Sequence, residues 1–102
     1  MTATFLHLGV PTNKEQPNET YLDALGVAIT DPSAHPYSYE FLRFDSSTPM
    51  PKSIQDNVHA AYKVDNLEAA MEGRELLYGP MGDPGSRIAF IMVDGAVIEV
   101  SE

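Results

Sequence analysis

A chain of 102 residues, 43% apolar and 21% charged, has the composition of an ordinary globular domain and the length for one core, not two independent ones. Fifteen acids against six bases give a formal net charge of −9, which serves solubility and excludes nucleic acid and anionic membrane surfaces, since both are recognised by clustered Lys and Arg. There is no cysteine, hence no disulfide, thiolate metal site or thiol nucleophile; no window approaches the ~20 apolar residues of a membrane span, and the start does not read as a signal peptide, so a soluble, cytoplasmic protein is expected.

In chain order, Phe5 to Val10 is an apolar run ended by Pro11 and reads as a strand. Pro17 can open a helix reaching about Leu25, with Gly26 as its C-cap. Val27 to Thr30 is a second strand, stopped by Asp31-Pro32, and the aromatic stretch Tyr37 to Phe44 is a third. Asp45 to Asp56 has little periodicity and reads as a connection. Val58 to Val64 is again a strand, and Asp65-Asn66 offers an N-cap for a short helix from Leu67 to about Gly73. Glu75 to Tyr78 is a short strand, and Gly79 to Ser86, with three glycines and two prolines, is a loop. That loop lacks the Lys and Ser/Thr of a phosphate-binding loop. Arg87 to Val93 and Ala96 to Val100 are strands joined at Asp94-Gly95, the strongest short-range hairpin signal in the chain.

The order strand, helix, strand, strand recurs, followed by one further strand. Module one covers about residues 1–46, the linker about 47–56 and module two about 57–102, all in one domain, the first module short of a strand. A histidine stands near the start of each module, His7 and His59. A glutamate stands inside the last strand of each, Glu40 and Glu99. Strand alternation places His7 with Phe5 and Gly9 on one face, and His59 with Ala61 and Lys63, so that each imidazole leaves the more apolar face beside a very small residue. A carboxylate inside an apolar strand needs solvent, a basic partner or a metal. Glu99, in register from the hairpin, is the firmer of the two; Glu40 has Arg43 or Arg87 as an alternative partner, and Asp45 replaces it if the register slips. Two imidazoles and two carboxylates suit Zn²⁺, Ni²⁺, Mn²⁺ or Fe²⁺ and leave positions open for substrate. His35, in a loop flanked by Pro36, reads as solvated.

These features resemble the vicinal-oxygen-chelate superfamily of glyoxalases, bleomycin-resistance proteins and extradiol dioxygenases, and within it a small bacterial subgroup with a shortened first module. The match is firmest from His59 to Val100, through Asn66-Leu67-Glu68-Ala69-Ala70, Arg87-Ile88-Ala89-Phe90 and Asp94-Gly95-Ala96-Val97-Ile98-Glu99. The resemblance implies an α+β fold of two βαβββ-type modules forming a curved, mainly antiparallel sheet with helices outside. It implies a divalent metal held by His7, Glu40, His59 and Glu99, and a homodimer. The usual glutathione-holding basic residues have no counterpart here. Two functions follow. One is a metal-dependent lyase, isomerase or dioxygenase-like enzyme acting on a small substrate with vicinal oxygens, with Glu99 or Glu40 as general base and Phe5 and Val97 excluding water. The other is a metal-free protein that binds a drug or hydrophobic ligand.

Overall fold

The computed structural model describes residues 2–102. Eight strands are formed: β1 (Ala3–Pro11), β2 (Thr20–Leu22), β3 (Val27–Ile29), β4 (Tyr39–Phe44), β5 (His59–Val64), β6 (Glu75–Met81), β7 (Ile88–Val93) and β8 (Ala96–Ser101). Two short helices accompany them, α1 (Lys52–Gln55) and α2 (Leu67–Met71). All eight strands lie in one curved sheet of order β2-β3-β4-β1-β5-β8-β7-β6. Each module runs inward from its edge to its first strand, and β1 and β5 meet antiparallel at the centre. Within each module the first and last strands pair parallel, β1 with β4 and β5 with β8, and every other pairing is antiparallel.

Local chemistry explains the best-defined elements. The Asn66 side chain accepts a hydrogen bond from the Ala69 N–H at 2.9 Å and so caps α2. Asp94 and Gly95 both take positive φ, 50° and 86°, the two-residue turn that matches strand twist. It sets the register Val93↔Ala96 through Ile88↔Ser101.

Module one departs from the expectation of a helix over residues 17–25. Thr20–Leu22 is a strand paired with Val27–Ile29, and only the turn Asp23–Leu25 is helical, of 3-10 type. Gly26 does end that turn, with left-handed φ of 55°. The segment has too few apolar residues on one helical face to be held as a helix, whereas an edge strand needs only its partner's backbone. Module one is therefore short of its helix, not of a strand.

The sheet carries one apolar cluster on each face, which is how a chain of this length builds a core. On the convex face Val64, Leu67, Ala70, Ala89, Ile91 and Val100 pack beneath α2. On the concave face Met50, Ile54, Phe90 and Val97 pack together. The last cluster corrects two expectations. The connection between modules is not passive, because Met50 and Ile54 from it are buried. And α1 packs on the face opposite to α2, so the helices do not share one side of the sheet. Strand β6 also runs on to Met81, into the stretch expected to be loop. Among the described residues, no helix is long and apolar enough to cross a membrane.

Candidate metal centre

The four residues singled out by the repeat come from four adjacent central strands: Glu40 on β4, His7 on β1, His59 on β5 and Glu99 on β8. Their registers form two cross-strand rows. In one, Glu40 pairs with Gly9, and Gly9 with His59. In the other, Glu99 pairs with Ala61, and Ala61 with His7. Each row is glutamate, small residue, histidine, and each small residue leaves room above the sheet for the longer chains flanking it. The imidazole of His59 takes up the very volume that a Cβ on Gly9 would need.

One potential ligand atom from each of His7, Glu40, His59 and Glu99 lies within 4.8 Å of the others. The Nε2 of His59 is 3.2 Å from Glu99 Oε1 and hydrogen-bonded to it. The Nε2 of His7 lies 3.5 Å from Glu40 Oε1 and 3.9 Å from Glu99 Oε1, close to both carboxylates but hydrogen-bonded to neither. His59 is fully enclosed, while the side chains of His7, Glu40 and Glu99 keep between 12% and 15% exposure, so the cluster is reachable from solvent. The Glu40 carboxylate raises the His7 pKa above its ordinary value; burial opposes this, and the charges of Glu40 and Glu99 add to the rise.

These residues fit a divalent cation. The donor set is imidazole nitrogen and carboxylate oxygen, and a buried His7 Nε2 aimed between two carboxylates has no hydrogen-bond partner of its own. Two carboxylates this close repel one another unless a proton or cation sits between them.

Beside the cluster is a cavity of about 180 Å³ with Glu40 and Glu99 in its lining. Its walls are apolar: Val27, Ile29 and Leu42 from module one, Ile88 and Phe90 from module two, and Met50 from the connection. Phe90 packs edge-on against the His59 ring, with centroids 5.1 Å apart. Sequence reasoning missed Phe90, although the two-residue hairpin already places it opposite Glu99. Met50 had no such signal.

Other expected positions fall differently. Phe5 does not share the face of His7. The β1–β5 register shifts between Phe5 and His7, leaving Leu6 as an extra residue, and Phe5 pairs with Tyr62 on the opposite face, rings 5.8 Å apart. Phe5 is 47% exposed and shields nothing in the site, whereas Val97 is buried near it. On β5 both faces contribute buried residues: His59 and Ala61 are enclosed on the histidine face and Val64 on the other, while Val58, just before the strand, is 55% exposed. Neither arginine reaches Glu40. Arg43 pairs with Glu19 at 2.7 Å, and Arg87 with Glu68 and Glu102. Asp45 bonds Ser47 and Tyr21 at the surface. His35 is half-buried rather than solvated: its ring stacks on Tyr39 with centroids 4.4 Å apart and accepts a hydrogen bond from the Tyr37 N–H.

The fold defined by this sheet is a curled, mainly-β half-barrel, compatible with the vicinal-oxygen-chelate architecture. A solved structure, the hypothetical protein BH1468 from Bacillus halodurans C-125, superposes over 100% of this chain and 95% of its own, with a TM-score of 0.65 and 18% sequence identity. That likeness concerns the fold alone. No protein-family model matches the chain, and no curated protein does.

Proposed function

We propose that the chain is a divalent-metal-dependent enzyme of the lyase or isomerase type, acting on a small substrate with two neighbouring oxygens. The observation that carries this reading is the convergence of His7, Glu40, His59 and Glu99 on one point next to an apolar-walled cavity. His7, His59 and the two glutamates would hold the ion. When bound, it supplies a Lewis acid that stabilises negative charge developing on the paired oxygens.

The chain's own residues do the rest. His59, locked between Gly9, Phe90 and Glu99, fixes the geometry. Glu40 sits at 3.5 Å from His7, a looser contact than the 3.2 Å between Glu99 and His59, and lines the cavity, so it is the freer carboxylate to take a proton from the carbon next to the oxygens. Glu99, tied to His59, keeps its place. Val97 and Phe90 exclude water on the module-two side.

A second reading, a metal-free protein that sequesters a hydrophobic ligand, is favoured by the apolar walls of the same cavity. Metal content separates the two. The untagged protein, purified without chelator, should carry or take up close to one transition-metal ion per chain. A chain that neither retains nor binds Zn²⁺, Ni²⁺, Mn²⁺ or Fe²⁺ is the ligand-binding protein. We also propose that it works as a homodimer; exposed Phe5, Leu6, Tyr21 and Leu76, the last two on edge strands, support pairing of apolar surface. A monomer in sedimentation at high concentration overturns that part.

A further inference from the structure

We infer that, granted the metal reading, the ligand this cavity takes is a small molecule with an uncharged, apolar body and its paired oxygens at one end. Carboxylate- or phosphate-bearing ligands are excluded. The inference rests on where the positive charge of this chain is spent. Of six basic residues, none lines the cavity. Arg43 is ion-paired with Glu19, and Arg87 with both Glu68 and Glu102. Arg74 stands beside Asp94, and Lys52 beside Asp56. Lys14 and Lys63 are exposed elsewhere.

Among the described residues, the only charged groups in the cavity lining are Glu40 and Glu99. Their two negative charges balance a divalent ion, so no net positive charge remains to attract an acidic tail. An anionic group taken up there would be desolvated against apolar walls with no cation to pair with. The formal charge of −9 opposes its approach as well. Apolar side chains from both modules offer the reverse: contact for a hydrocarbon or ring, worth more the more of it is enclosed. Size adds a limit. At about 180 Å³ the cavity falls below the ~300–1,000 Å³ of clefts that hold drug-sized ligands.

Hydroxamates test this, because one bidentate oxygen head can carry different tails. The full chain is loaded with Zn²⁺ alone and titrated calorimetrically with hexanohydroxamate and with succinate monohydroxamate. The apolar tail should bind at least about tenfold more tightly than the acidic one. Replacing a half-buried wall residue by a cation, Ile29→Lys, should narrow or invert that ratio. If Ile29→Lys fails to fold, Leu22→Lys at the same cavity carries the same test, and the wild-type ratio stands as a measurement in its own right. Zn²⁺ uptake combined with equal or tighter binding of the acidic chelator overturns this substrate class and leaves the metal site standing. A chain that takes up no Zn²⁺ overturns the metal reading and this inference together.

Discussion

Gly9 and His59 are cross-strand partners, and the imidazole of His59 occupies the space where a side chain on residue 9 would begin. The equivalent pair in the other row is Ala61 and His7, and there a methyl group is present. His59 accordingly sits flush against the sheet with no exposure, while His7 keeps 12%. The repeat thus gives two histidines that are equivalent in sequence position but unequal in rigidity.

Gly9→Ala tests that dependence. The added methyl must displace a ring already confined by Phe90 and Glu99, and overpacking of this kind costs about 1–3 kcal/mol. Chemical denaturation should register that loss. Metal affinity should drop by ~10-fold or more, because a shifted His59 no longer faces the three other donors. An unchanged affinity would show that His59 is not a ligand.

The two glutamates should differ under substitution. Glu99 Oε1 approaches both histidines, at 3.2 and 3.9 Å, whereas Glu40 Oε1 approaches only His7, at 3.5 Å. Glu99→Gln should weaken metal binding on the order of 100-fold and Glu40→Gln about tenfold, by analogy with the 10–100-fold that groups supporting a metal site contribute. Turnover, once a substrate is known, should show the opposite emphasis. Glu40→Gln should lose kcat out of proportion to metal loss, since it is the freer base. Equal effects of the two substitutions on metal binding would contradict the geometry.

Legibility in the sequence followed how local the cause was. The hairpin at Asp94-Gly95 and the cap at Asn66 are set by two or three neighbouring residues, and both form where their chemistry demands. The equivalence of Glu40 and Glu99 could be read from the repeat, and in the structure each stands on a last strand paired parallel with its module's first. What could not be read depends on partners distant in the chain. Thr20–Leu22 is a strand only because Val27–Ile29 lies beside it. Leu6 is an extra residue only because of its register against β5, and that single irregularity carries Phe5 to the other face. Strand alternation assumes an unbroken ladder and has no term for a bulge. The concave wall was hidden for the same reason: Met50 and Ile54 look like linker until the sheet curls beneath them.

Acid stability should depend on Glu102. Its carboxyl is held from an ordinary 4.5 down to about 2, chiefly by the Arg87 guanidinium and then by the Gly85 N–H. A depressed folded pKa means that the group stabilises the fold fully above its unfolded value and stops doing so as pH falls through the folded one. The contribution is therefore present at neutral pH and lost between pH 4.5 and about 2. Glu102→Gln should lower the denaturation midpoint near neutrality, and variant and wild type should converge toward the acid end of that window. Curves that stay parallel throughout would mean that the pair does not stabilise the fold.

Ile54→Ala asks whether the connection between modules is part of the core. Ile54 is 1% exposed, on a helix of one turn, and packs with Met50, Phe90 and Val97. Removing its side chain leaves a void between α1 and the concave face, and truncations of this kind cost about 2–5 kcal/mol. A residue in a passive linker would change stability by only about 0.5 kcal/mol or less. The effect should also reach the site. Met50 and Phe90 both line the cavity, and Phe90 braces the His59 ring, so loosening their common neighbour should weaken ligand binding without removing any group that touches the ligand. Denaturation and hydroxamate titration on the same variant read both quantities. A large stability loss with unaltered ligand affinity would place Ile54 in the fold alone. A negligible stability loss would show that the connection does not close the concave face.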